Sequence, residues 1–174
     1  MKKTIFIIIF ILLTYYFISE VTAKTLTIPE EAIRFRVIPH SNEKVDQDVK
    51  ILVRDEVQDY MSNILQNVDD IDVSREIISS NLSQINTKVE QVLQKENYNH
   101  TFTVNFGLNY FPTKEYKGIT YDEGYYESLV ITLGSGKGSN WWCVLFPPLC
   151  LIEAEKSTEV EYTSYVKEIL DKYV

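Results

Sequence analysis

The switch of hydrophobic period at Thr101 limits the fold of this chain more than any other feature. Between Val45 and Leu93 apolar residues recur at helical spacing, and from Thr101 onward they alternate. Helices and strands are therefore grouped in separate blocks, which points to an α+β domain rather than to repeating βα units.

The helical block divides in two. Val45, Val49, Leu52, Val53, Val57, Tyr60, Met61, Ile64 and Leu65 predict an amphipathic helix over about residues 44–66. Asp69-Asp70-Ile71-Asp72 then offers a cap, and negative charge facing the macrodipole, for a second helix. Its stripe is Ile77, Ile78, Leu82, Ile85, Val89, Val92 and Leu93, and it ends near Asn97. Ahead of both, Ile33-Arg34-Phe35-Arg36-Val37-Ile38 alternates apolar and basic residues, as a strand with one buried face would, and Pro39-His40-Ser41-Asn42 ends it. In the second block Phe102, Val104, Phe106, Leu108 and Tyr110 point one way, and Thr101, Thr103, Asn105 and Asn109 the other. Pro112 and Gly118 mark a turn, and Tyr125 to Leu133 returns as an antiparallel partner. Glu159 to Val174, with Val166, Ile169, Leu170 and Tyr173, suits a short C-terminal helix. No repeat or low-complexity linker intervenes, so the expected architecture is α+β: a single small domain with two amphipathic helices packed on a mainly antiparallel sheet.

Met1-Lys2-Lys3 followed by the apolar run Ile5–Ile18 has the form of an export signal, being short for a bilayer span of about 20 apolar residues. Val21 and Ala23 fit a signal-peptidase site, so residues 1–23 are read as a signal peptide and 24–174 as the exported domain. The rival reading keeps the segment as an uncleaved membrane anchor, with transient membrane association through residues 5–18. Removal of residues 1–23 takes the formal charge from −8 to −9. Such a charge disfavours nucleic acid or an anionic membrane as the main partner.

Only two cysteines occur, Cys143 and Cys150, both in the exported part, where oxidation is permitted. A disulfide between them would close a short loop and contribute about 2.5 kcal/mol. Two buried thiols are the alternative. The only histidines, His40 and His100, lack metal-ligand spacing to the cysteines, so no metal is expected.

No cofactor, small-molecule ligand or catalytic residue is singled out. Gly134-Ser135-Gly136-Lys137-Gly138-Ser139 suggests a phosphate loop, but Gly138 stands where a Walker motif needs Ser or Thr, and a flexible connection is the simpler reading. Asp122, Glu123, Glu127, Glu153 and Glu155 are available for sugar hydrolysis, yet no spacing pairs an acid with a base. Asp46, Asp48 and Asp55 read as capping and helix charge, with a partner contact as the alternative. His40 reads as a turn histidine rather than a pH-sensitive contact.

The unusual stretch is Asn140-Trp141-Trp142-Cys143-Val144-Leu145-Phe146-Pro147-Pro148-Leu149-Cys150. Successive indoles on extended backbone face opposite ways, and both are buried only if the segment is covered on two sides. Pro147 and Pro148 with a Cys143–Cys150 bridge would present Phe146 and Leu149 on a stiff loop, a preorganised protein-binding surface. A satellite core pinned by a disulfide is an equal alternative.

This run, with Phe111-Pro112-Thr113-Lys114, Arg34 to Ile38, Asp46-Gln47 and Lys50 to Asp55, resembles stage II sporulation protein R of endospore-forming bacteria over nearly the whole exported part. The resemblance implies a signalling protein, not an enzyme, secreted across the forespore membrane into the intermembrane space. There it would activate the membrane-embedded sigma-E processing aspartic protease. Partner-binding residues are then expected among Trp141, Trp142, Phe146, Pro147, Pro148, Leu149, Phe111 and Lys114. The chain departs from the family pattern at Pro39-His40, Asp122-Glu123, Ser135 and Ser139. The competing function is an exported cell-wall hydrolase using the carboxylates named above.

Overall fold

The computed structural model describes residues 31–116 and 119–151. The expected signal segment, the C-terminal helix expected over 159–174, and Glu153 and Glu155 lie outside them.

Strand β1 (Ile33–Ile38) opens the domain, followed by helices α1 (Lys44–Ile64), α2 (Ile71–Ser80) and α3 (Leu82–Lys95). Strand β2 (Phe102–Phe111), the small hairpin β3 (Lys114–Tyr116) and β4 (Ile119–Tyr121), strand β5 (Gly124–Leu133) and strand β6 (Trp141–Phe146) complete it, with a 3-10 turn at Leu149–Leu151. The main sheet has the order β2-β5-β1-β6. β5 is antiparallel to β2, β1 is parallel to β5, and β6 is antiparallel to β1. The mainly antiparallel α+β domain is thus as the sequence predicts.

One face of the sheet carries the helices. Ile33, Phe35 and Val37 of β1, Leu129, Ile131 and Leu133 of β5, and Leu145 of β6 are buried there against Val49, Val53, Val57 and Met61 of α1, Ile78 of α2 and Ile85, Val89 and Leu93 of α3. Their spacing along each helix is the sequence stripe, and burying such side chains is worth about 1.5–3 kcal/mol each. Asp70 caps α2 as predicted, its side chain accepting from the backbone N–H of Asp72 and Val73.

The expected second helix is two. Asn81 lies between α2 and α3, where its backbone (φ −100°, ψ 6°) leaves helical geometry. Its side-chain amide donates to the Ile77 carbonyl, and its oxygen accepts from Tyr60 Oη at 2.6 Å. Asn side chains compete for backbone hydrogen bonds in this way. The apolar stripe passes through the break because both helices still face the same core.

The glycine-rich stretch is not a loose connection. It arches from β5 to β6 over the end of β1, and Lys137 and Gly138 donate their N–H groups to the carbonyls of His40 and Pro39. Ser135 N donates to His40 Nδ1 at 2.9 Å and Ser139 N to Asn42 Oδ1 at 2.6 Å. Gly134 has φ +55°, and a Cβ there would strike the His40 ring.

Candidate functional site

The Trp-Cys-Pro stretch forms the edge of the sheet. Its aromatic and β-branched residues favour a strand, and Pro147, which has no N–H to donate, ends it. The two indoles go to opposite faces, as alternation requires. Trp141 meets Phe35 edge-on with centroids 5.5 Å apart, on the helix side, where the Arg54 guanidinium of α1 stands 5.3 Å from its ring. Trp142 meets Phe111 edge-on at 5.1 Å on the far side, with Lys114 Nζ at 4.8 Å and the Arg36 guanidinium at 5.8 Å. Both indoles remain half-buried.

Asn140 fixes the start of this strand. In the orientation that turns its amide oxygen toward the donors, it accepts from Arg36 Nη2 at 2.6 Å, Arg36 Nε at 2.7 Å and Trp142 Nε1 at 3.2 Å. Arg36 Nη1 also donates to the Tyr110 carbonyl at 3.1 Å. Next to it, the buried Arg34 guanidinium lies 3.2 Å from the centroid of Tyr126 and 5.4 Å from that of Phe111. Such cation–π contacts are worth roughly 0.5–2 kcal/mol each. β1 is therefore covered on both faces, whereas its alternating pattern suggested one. The basic face of β1 is roofed by aromatic rings rather than by water.

The end of the stretch is anchored inward. Cys143 and Cys150 form a disulfide with Cα atoms 5.6 Å apart. Gln58 Nε2 of α1 donates to the Cys150 carbonyl at 2.6 Å, and Leu149 N to the Pro147 carbonyl at 2.7 Å. Phe146, Pro147, Leu149 and Cys150 are buried, and Phe111 is fully so. The loop expected to present Phe146 and Leu149 instead turns them into the core, because the bridge starts on the helix-facing side of β6. Of the predicted contact residues, Trp141, Trp142, Pro148 and Lys114 keep accessible surface.

The charge at this edge is positive. Arg36 loses its proton more readily than an ordinary arginine because it is partly buried. Burial and then the Arg36 charge act likewise on Lys114, and burial followed by Arg54 and Lys114 on Lys50. Arg36, Asn140 and Lys50 were not among the expected contact residues. For Arg36 the basic alternation in β1 was the signal, readable only once Phe111, Tyr126 and Trp142 are known to cover it.

Among the described carboxylates weighed for hydrolysis, Glu127 and Glu123 are engaged. Glu127 is paired with Arg75 Nε at 2.7 Å, and Glu123 accepts from Tyr110 Oη at 3.2 Å. Asp48 pairs with Lys44 and Asp55 with Arg54. Asp46 lies in the first turn of α1, as read from the sequence, and is also buried, accepting from Ser41 Oγ and Tyr98 Oη beside the stacked rings of His40 and His100. A cleft of about 620 Å³ runs along the end of α3 and the start of β2, between Glu90, Tyr98 and Phe102, and does not include the tryptophans. Among the described residues no group of three or more His, Cys, Asp or Glu side chains is placed to hold a metal ion.

The chain matches the family model described as Stage II sporulation protein R over residues 29–156. Over 171 aligned residues it is 36% identical to Stage II sporulation protein R of Bacillus subtilis (strain 168), a match covering 92% of this chain and 76% of that protein. No solved structure matches it.

Proposed function

The chain belongs to the stage II sporulation protein R family, and from that premise we propose that it is an exported sporulation signal that activates the membrane-embedded sigma-E processing protease by contact from the extracytoplasmic side. The contact surface is the β6 edge, with Trp141 on one face and Trp142 and Lys114 on the other. One observation carries this reading: two half-exposed indoles are held on an edge strand that is disulfide-anchored at its far end. Large aromatic side chains with little freedom to lose are what a protein-binding hot spot requires. Activation by binding then needs only a higher affinity for the active state of the protease than for the inactive one.

The hydrolase alternative is weakened by the ion pair of Glu127 with Arg75, since a general acid or base must be free to exchange a proton with substrate. Two measurements test the proposal. A sporulating strain lacking its own copy should recover sigma-E processing when the full chain is supplied. Incubated with peptidoglycan, the protein should release no fragments. Fragment release abolished by a single carboxylate-to-amide change would replace the signalling reading.

A further inference from the structure

We propose that the β6 edge receives an extended acidic segment of the partner protein, laid beside Trp142 within the field of Arg36, Lys50 and Lys114. This rests on the reading that the tryptophan edge is the contact surface, and adds the chemistry of what it meets.

Three cations near Trp142 lack carboxylate partners among the described residues. In a chain with 25 acidic and 17 basic residues, a lysine or arginine finds an acidic neighbour easily. Elsewhere they do: Lys44 with Asp48, Lys88 with Glu56, and Arg75 with both Asp72 and Glu127. At β6 the Arg54 guanidinium beside Trp141 is paired with Asp55, but three further cations have neutral neighbours. Arg36 is held by Asn140 and the Tyr110 carbonyl. Lys50 Nζ donates to Gln47 Oε1 at 2.6 Å and the Ser139 carbonyl at 3.1 Å. Lys114 lies over the Trp142 ring. Among the described residues none of the three meets a carboxylate. Gathering like charges at partial burial is unfavourable, and an anion placed among them offsets that cost.

Shape selects the anion. β6 is the last strand of the sheet, with no strand on its outer side among the described residues. A segment added there would place alternate side chains on the Trp141 face and the Trp142 face. Carboxylates at every second position would then share the face that carries Trp142 and Lys114. The rest of the molecule is acidic, so a broad anionic surface such as a membrane is repelled where a single strand is not.

Both tryptophans of the chain are at this edge, so their fluorescence reports occupancy without a label. The full chain in a non-ionic detergent is titrated with a short peptide alternating Glu and Val, with its Lys–Val counterpart, and with micelles doped with phosphatidylglycerol. The Glu peptide should shift the emission saturably and the Lys peptide should not. Lys114→Glu should weaken the Glu peptide about tenfold or more, and Lys114→Arg should restore most of the affinity. Lys114→Gln, checked for native circular dichroism, gives an intermediate loss and guards against misfolding. Equal response to both peptides, wild-type affinity in Lys114→Glu, or a shift with phosphatidylglycerol alone would overturn the proposal. The underlying reading fails differently. If Trp141→Ala with Trp142→Ala blocks sigma-E processing in cells while Lys114→Glu does not, the surface stands and its acidic partner falls. If neither change affects processing, the surface itself is misassigned.

Discussion

At the scale of single residues, the turn after β1 shows how closely local choices are tied. The departures from the family pattern at His40 and Ser135 touch one another: Ser135 donates to the His40 ring from its backbone and to the His40 carbonyl from its hydroxyl. Ser139, a third, binds Asn42 of the same turn. The arch and the turn form one hydrogen-bonded unit. Gly138 belongs to it, because a Cβ there would collide with the Ser41 carbonyl. Gly138→Ala should therefore cost about 1–3 kcal/mol in urea unfolding. Asp46 sits beneath this unit. Burial pushes its carboxyl up, but the hydrogen bonds from Ser41 and Tyr98, helped by His40 and His100, outweigh it and hold the group below the usual carboxylate range. A folded-state value depressed in this way adds stability that is complete above the unfolded value, near pH 4. That stability is lost as pH falls through the lower folded value. Urea midpoints measured between pH 5 and about pH 2 should fall in the wild-type chain. Asp46→Asn should be less stable at neutral pH and lose less over the same window.

At the scale of elements, the helices owe their position to the apolar stripe and their ends to particular side chains. Asp70→Ala should cost about 1 kcal/mol by removing the cap of α2, read as a lower thermal midpoint. That cap was legible because an acidic turn directly precedes a helical stripe. The break at Asn81 was not, since the stripe continues across it and the decisive bond comes from Tyr60, distant in sequence. Strand β2 was plain from its alternation and β5 from its aromatic and β-branched residues. β1 was plain as a strand but not as one covered on both faces, because Arg34 and Arg36 look solvent-facing until the aromatic roof is known. The same limit applies to β6. Its extended form was legible and a Cys143–Cys150 bridge was one of the two readings the cysteines allowed, but the inward turn of Phe146 and Leu149 depends on which face Cys143 occupies beside Phe35. Cys143→Ser with Cys150→Ser should lower stability by about 2–4 kcal/mol and broaden the tryptophan emission as the edge loosens.

For the molecule as a whole, one face of the sheet makes the core, and the far face carries a cationic and aromatic layer that ends at the tryptophan edge. The acidic balance of the chain makes that edge its most distinct surface, and membership of the sporulation family gives it a process to serve. In the proposed function the two indoles make the activating contact. The decisive measurement is sigma-E processing in sporulating cells that carry Trp141→Ala with Trp142→Ala in the full chain, with export and folding checked on the same cells. Exported, folded protein that leaves the sigma-E precursor intact is the predicted result. Normal processing by that protein would contradict the account.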